Sequence, residues 1–574
     1  MTGCRCRQPH HHPSRRLTRR TTLQAAAGAL AAMFLGGAAG QALAAAQDSP
    51  LTALPADLTG ATPLHLTGAL LAEFEAYIVH WLTELDVPGA AVVVVQNGEV
   101  ALLQGYGVCA WGGTEPVTAD TLLRIGSITK SFSSLLAATL IDAELVTWDT
   151  PLVDLLPNFA VADPALTPRL TLADAFCACT GVPRRDLEFM FRAHDLTAEQ
   201  IVATMAQLPL TEPFGEVFQY NNQMVAVGGF AAAIADGGSP HALNQSYAVA
   251  LRDRVLNPLG MTRTTLNLQN VVADGDYALP HAPDLENQPV PLSLMVDDAW
   301  IAPVAPSGGL WSTAREMAAY VQMALAHGVV PDGERVVSTA NLEATWQPGV
   351  PMLFGDGTSA ILKEATSNYG LSWEVGNYGG LRLISHQGLT YGFNALVSLL
   401  PEAGIGIAAL TNRDGAGSTL TLALQFRLFE LLFAQPSIID PLLDVALASG
   451  GEARAALRGQ LGTIAADTVQ PYLGDYTNAD LGPMTLSLAR DKLIFATAGA
   501  RSALLPLVDD AGAITGYIFA DPPWASNPPA RLLALVHDDE QRPQVTITTP
   551  GDGNEGLITY VYTMLAASEA TPVP

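Results

Sequence analysis

Leu123-Arg124-Ile125-Gly126-Ser127-Ile128-Thr129-Lys130-Ser131-Phe132, followed by an apolar run to Ile141, is the stretch on which the reading of this chain turns. With few charges and apolar residues on most sides beyond its first turn, Ser127 to Leu140 predicts a helix that runs through the interior. Ser127 and Lys130 stand three residues apart, nearly one helical turn, so hydroxyl and amine share a face within hydrogen-bond reach. Only three of the 28 basic residues are lysines, Lys130, Lys363 and Lys492, so an amine at the head of an interior helix asks for a chemical reason. A serine hydroxyl is a sluggish nucleophile until a base takes its proton. A buried lysine, whose pKa can fall to roughly 5–6, can be that base, and an arginine cannot. The helix start adds N–H groups and a positive dipole end that favour an oxyanion. An N-cap serine beside a surface lysine fits the same letters, but the run from Phe132 to Ile141 makes a casual lysine costly.

Upstream of this helix, Leu70 to Leu85 carries apolar residues at helical spacing. Ala90 to Val95 is a branched run that turns at Asn97-Gly98 into Glu99 to Tyr106, the signal of a β-hairpin. Downstream, residues 142 to 350 alternate helices, such as Ala226 to Ala235 and Ala314 to Ala326, with Pro/Gly-rich loops. Strand patterns return at Leu381 to Ser385, Asn394 to Leu400 and Ile405 to Leu410, and a helix at Thr419 to Phe433 closes the unit. Strands at both ends with helices between predict an α+β fold: one antiparallel sheet built from the chain's two extremes, flanked by helices, with a mostly helical insertion. Residues 437–467 read as a linker. Residues 468–566, with short runs at Met484 to Leu488, Lys492 to Ala496, Tyr517 to Ala520, Arg531 to Val536 and Gln544 to Thr548, read as a small all-β barrel or sandwich, and 567–574 as a tail.

Two further motifs suit the Ser/Lys pair. Tyr220-Asn221-Asn222 lies in a loop just before a helix, where a phenol can relay a proton to a leaving group and the Asn222 amide can bind both the lysine and a substrate carbonyl. The same letters also read as an Asn-rich helix cap. His386-Gln387-Gly388 follows the strand at Leu381 to Ser385; its glycine admits a close backbone approach, and the N–H of Leu389 can be a second oxyanion donor. Each motif falls on the element its chemistry requires.

Composition bounds the rest. Of 574 residues 49% are apolar and 14% charged, against about a quarter charged in ordinary soluble domains, which excludes disorder over most of the length. A formal charge of −27 argues against nucleic acid or an anionic membrane as partner and leaves a small-molecule or peptide substrate; nothing in the sequence sets an oligomeric state. Residues 1–46 carry six arginines, no acids and then an Ala/Gly/Leu run, the layout of an export signal. Thr18-Arg19-Arg20-Thr21-Thr22-Leu23 fits a twin-arginine signal, with the ordinary secretory route still open. Ala42-Leu43-Ala44 and Ala44-Ala45-Ala46 offer cleavage sites, so a periplasmic or extracellular protein without stable membrane insertion is expected, its residues 47–66 a linker to the domain at 67–436. Three cysteines follow the leader: Cys177 and Cys179 read as small buried residues beside a turn, and a disulfide involving Cys109 is open after export. With no His-Glu-x-x-His, Walker loop or paired zinc-type cysteines, neither metal nor cofactor is expected.

Taken with Leu123 to Gly126, Pro258-Leu259-Gly260-Met261-Thr262, Ser307 to Ala314 and Gly388 to Phe393, these motifs resemble the serine β-lactamase and penicillin-binding-protein family, in the branch of class C β-lactamases, D-stereospecific peptidases and esterases, from about residue 68 to 435. The resemblance implies an acyl-enzyme on Ser127, with Lys130 and Tyr220 sharing general base and acid work, Asn222 positioning substrate, and His386, Gln387, Gly388 and Leu389 lining the site. Residues 470 to 566, with Tyr472-Leu473-Gly474-Asp475-Tyr476-Thr477, resemble the lipocalin-like barrel that follows some of these domains. Two departures stand out. His386 occupies the place of a lysine in β-lactamases and is mostly neutral at pH 7, and Ala178-Cys179-Thr180-Gly181 replaces the family's His-Thr-Ser-Gly turn. An exported serine hydrolase of a peptide, amide or ester is therefore expected, with a genuine β-lactamase or a penicillin-binding sensor without turnover as the alternatives.

Overall fold

Gly89 to Gln96 is apolar at nearly every position, the pattern of a strand covered on both faces. In the computed structural model it is strand β1 (Gly89–Gln96), buried along its whole length. The structure describes residues 50–565 apart from 194, 356, 499–500, 526–531 and 553–554; the predicted export signal and the tail at 567–574 lie outside the described residues. Asn97 and Gly98 both take positive φ, 53° and 81°, and turn β1 into β2 (Glu99–Gly107) as the Asn-Gly pair predicts. On its other edge β1 pairs with a strand from the far end of the domain, in the register Ala90 opposite Thr411.

That sheet has eight antiparallel strands. After β1 and β2 come β3 (Val350–Pro351), β4 (Asn368–Tyr369), β5 (Glu374–Tyr378), β6 (Leu381–Thr390), β7 (Phe393–Leu400) and β8 (Ile405–Thr411), in the spatial order β2-β1-β8-β7-β6-β5-β4-β3. Successive residues of β1 face opposite sides. Ala91, Val93 and Val95 enter the core that holds the helical region, whereas Ala90, Val92 and Val94 pack with Phe74, Ile78 and Phe426. The helices on that second side are α1 (Gly68–Glu84) and, late in the chain, Ala416–Leu432. Inside the first core, α2 (Thr129–Asp142) is buried from Thr129 through Leu140, the interior helix expected from its apolar faces. The insertion supplies α3 (Asp186–Phe191), α4 (Asn222–Ala235) and α5 (Ala314–Leu325), and Ala416–Leu432 is α6.

Both segments read as linkers differ from that reading. Residues 47–66 are laid onto the domain where described: Leu51, Leu58 and Leu66 are buried, and the Leu58 and Leu64 N–H groups donate to Gly379 and Leu432 carbonyls, each at 2.7 Å. The stretch 437–467 holds the 21-residue helix α7 (Ile439–Gly459). Its small residues disguise an amphipathic pattern in which Ile439, Leu442 and Leu443 bury one side.

Beyond α7 the chain forms a closed barrel of eight antiparallel strands, Gly474–Asn478, Gly482–Ala489, Lys492–Ala496, Arg501–Val508, Ile514–Phe519, Leu532–His537, Pro543–Pro550 and Leu557–Met564. Buried side chains of its own strands include Tyr476, Met484, Phe495, Phe519 and Tyr562. No helix among the described residues is long and apolar enough to cross a membrane.

Candidate active site

Ser127 does not sit in the α-helix itself. It lies on a 3-10 turn, Gly126–Ile128, that feeds α2 at Thr129. The turn starts at Gly126, whose φ of +51° an L side chain would strain, and a Cβ there would come within 2.6 Å of the Leu389 nitrogen. On β6, a Cβ at Gly388 would fall 1.9 Å from the Ile125 carbonyl oxygen and 3.2 Å from the Ser127 nitrogen. Two glycines therefore let strand and serine turn touch backbone to backbone, which brings the N–H groups of Ser127 and Leu389 to one place. Ser127 keeps partial exposure within a stretch that is otherwise buried.

Lys130 is fully buried, and its Nζ makes three contacts: Ser127 Oγ at 2.9 Å, Asn222 Oδ1 at 2.7 Å and the Ser307 carbonyl oxygen at 2.6 Å. Asn222 Oδ1 and the Ser307 oxygen can only accept. A neutral amine has two N–H groups, which these two acceptors consume, and its lone pair is left facing the Ser127 hydroxyl. Burial holds the ammonium well below the ordinary lysine range; the charge of Arg184 acts in the same direction and that of Asp186 opposes it. The arrangement thus favours the form that can take a proton from serine.

Tyr220 stands over this pair, with Lys130 Nζ 4.7 Å from its ring centroid. Burial raises its pKa above the ordinary tyrosine range, and the Ser127 hydroxyl pulls the other way, so at neutral pH the phenol holds its proton. Tyr220→Phe is expected to slow acylation of Ser127 by about 10²-fold with an unchanged melting temperature, read as the rate of labelling by an activated fluorophosphonate. The cap reading of Tyr220-Asn221-Asn222 holds as well, because Asn221 Oδ1 accepts from the Met224 N–H at 2.9 Å and starts α4. That cap fixes Asn222 as the first helical residue. Its Oδ1 accepts from Lys130 and its Nδ2 donates to Asp186 at 3.0 Å, so the amide links the lysine to that carboxylate.

The third motif lies inside β6, not after it, since the strand continues to Thr390. Alternation along the strand then separates its members. His386 faces the site: its Nδ1 lies 2.6 Å from the Gln387 carbonyl oxygen, which must accept, so Nε2 accepts from the Tyr369 hydroxyl at 2.9 Å. Burial, with the charge of Lys130 second, pushes its pKa down to about 3 and keeps the ring neutral. Gln387 was expected to line the site, but it turns away, with its Oε1 accepting from Ser418 on α6 at 3.1 Å. Gly388 and Leu389 lie against the serine turn.

Cys177 and Cys179 are not merely small buried residues: they form a disulfide with each other, Cys109 remains free, and the bridged turn packs with Phe218, Tyr220 and Tyr369 beneath the site. Sequence reasoning missed Arg184 and Asp186, which form an ion pair above the lysine, with the guanidinium 5.4 Å from the Tyr220 centroid. Their signal was the run Arg184-Arg185-Asp186, which follows the charge-free residues 175–183. Among the described residues no cluster of His, Cys, Asp or Glu side chains is arranged to hold a metal ion.

A family model described as Beta-lactamase matches residues 74–429. Penicillin-binding protein 4 of Amycolatopsis lactamdurans is 29% identical over 375 residues, covering 64% of this chain and 93% of that protein. An unguisins hydrolase of Aspergillus campestris is 26% identical over 390 residues, 65% of this chain and 66% of that protein. Among solved structures, the octameric penicillin-binding protein homologue from Pyrococcus abyssi shares the fold with a TM-score of 0.55 at 20% identity, over 86% of this chain and 99% of that one.

Proposed function

The chain belongs to the beta-lactamase family, and from that premise we propose that it is an exported serine hydrolase that cleaves a peptide, amide or ester bond through an acyl-enzyme on Ser127. The observation that carries this reading is that the Nζ of the fully buried Lys130 lies 2.9 Å from the Oγ of the partly exposed Ser127. In acylation the Ser127 oxygen attacks the substrate carbonyl carbon and its proton passes to Lys130. The N–H groups of Ser127 and Leu389 hold the oxyanion, and the Tyr220 hydroxyl protonates the leaving group as the scissile bond breaks while it takes up the proton held by Lys130, so that amine and phenol end acylation in their starting forms. Water then attacks the ester carbonyl carbon and gives its proton to Lys130, and the Ser127 oxygen departs with that proton through Tyr220 as the acid is released.

A peptide, amide or ester is favoured over a β-lactam because His386 is neutral where a β-lactam carboxylate would want a cation. The relatives named as a penicillin-binding protein and as a hydrolase of unguisins are compatible with acyl transfer on such substrates. The test is to label the mature protein with a fluorophosphonate and with a fluorescent penicillin, alongside Ser127→Ala, and to follow turnover of a short-chain ester and of a chromogenic cephalosporin. A hydrolase labels at Ser127 with the fluorophosphonate, which stays bound, and turns over a short-chain ester. Labelling with no turnover of ester or cephalosporin would favour the sensor alternative, faster turnover of a chromogenic cephalosporin than of a short-chain ester would favour a genuine β-lactamase, and equal labelling of Ser127→Ala would end the proposal.

A further inference from the structure

The stretch from Arg184 to Phe191 touches the barrel on one side and the catalytic lysine's support on the other. On the barrel side, the Arg184 N–H donates to Asp552 Oδ2 at 2.7 Å. Arg185 Nη1 donates to Glu555 Oε2 at 2.8 Å, and its Nη2 contacts the other oxygen of the same carboxylate. Tyr560 donates to Glu188 at 3.2 Å. At the end of α3 the Phe191 ring is 1% exposed because it enters the barrel, stacked on Trp524 at 5.2 Å and edge-on to Phe495 at 5.9 Å. On the opposite side, Asp186 accepts from Asn222 Nδ2 at 3.0 Å and is ion-paired with Arg184, and Asn222 in turn accepts from Lys130.

A half-buried two-oxygen ion pair and a stacked aromatic plug fix this stretch to the barrel more firmly than surface contacts would. A carboxylate held by Arg184 and Asn222 at once determines where the Asn222 amide points, and that amide is one of the two acceptors that leave the Lys130 lone pair facing Ser127. We propose that Asp186 is a positioning residue for the Ser127/Lys130 pair and that the barrel, through Asp552, Glu555 and the Phe191 plug, sets its place, which makes the barrel a working part of the active site. The proposal rests on Ser127 being the nucleophile.

The groups that face Lys130 are Arg184 and Asp186 from this stretch, Tyr220 ahead of α4, His386 from β6 and Ser127 itself. Of these, Asp186 favours the ammonium and Arg184 opposes it. Asp186→Asn therefore removes an influence that raises the lysine pKa, so the acid limb of the labelling rate against pH is expected to move to lower pH. The plateau is expected to fall by about 10-fold to 100-fold because the amide is no longer aimed. Asp186→Glu should also lower the plateau but leave the limb in place. A merely structural contact would lower both plateaus and shift neither limb.

The second arm uses the full chain with Asp552→Asn and Glu555→Gln together, both isosteric and both on the barrel. The fluorophosphonate labelling rate of Ser127 is expected to fall about 10-fold while thermal melting still shows a folded protein. A double variant that folds and labels within twofold of the unaltered chain would overturn the role of the barrel. An Asp186→Asn limb that does not move would overturn the positioning role, and this arm decides alone if the double variant does not fold. An unaltered chain that fails to label at Ser127 would instead remove the hydrolase reading, and this inference with it.

Discussion

Lys130→Arg is expected to slow fluorophosphonate labelling of Ser127 by about 10³-fold at pH 7. The substitution keeps donors for Asn222 and Ser307 but removes any capacity to take up a proton, because a guanidinium stays charged in proteins. Lys130→Met, which fills similar space without an amine, should lose as much rate while still folding, since it replaces a fully buried polar group with an apolar one. A base role also fixes the direction of the pH dependence. The active form is the neutral amine, so the rate climbs as pH rises through a pKa that burial holds well below the ordinary lysine range. Residual labelling of both variants within tenfold of the unaltered chain, with folding confirmed by melting, would mean that another group takes the serine proton.

Gly388→Ala should be nearly as damaging, for a steric reason. The added methyl would fall 1.9 Å from the Ile125 carbonyl oxygen, a distance at which backbone must move, and the backbone on either side carries Ser127 and Leu389. Loss or displacement of a single oxyanion donor costs about 10²–10³ in rate, so a labelling rate lowered by that factor is expected, together with a lower melting temperature. Gly451→Ala serves as the control. That glycine lies within α7, a Cβ there meets nothing within 4 Å, and the change should leave labelling untouched and stability equal or higher. Equal rates for Gly388→Ala and Gly451→Ala would show that the approach of β6 to the serine turn does not matter for acylation.

The parts of this molecule that were legible in sequence are those governed by short-range periodicity. The run of valines in β1, the Asn-Gly turn, and Ser127 with Lys130 one turn apart all depend on neighbours within a few residues, and the structure places them as that spacing implies. Where the reading departed from the structure, a longer-range cause is at work. Ending a strand at Ser385 hid the alternation that turns Gln387 toward Ser418, and only the pairing of β6 with β7, His386 opposite Val397, extends it to Thr390. The strand Leu557–Met564 was passed over because one face of it is wet and its apolar alternation is broken, Leu557 being 65% exposed. Arg184 and Asp186 escaped because their meaning comes from partners nearly 40 and more than 360 residues away, which no local pattern encodes.

The register of β1 against β8 also governs how the chain can be made. Ala90 must wait for Thr411, so on a ribosome working at about 5–20 residues per second the strand emerges roughly 15–65 s before its partner exists. Until then its valine run and the hairpin it forms present an unpaired edge, in a topology of high contact order whose closing step is slow. A chain that carries such an edge through synthesis depends on being kept apart from its copies until the last strands arrive, and N-terminal fragments that stop short of β8 should aggregate, whatever motifs they contain.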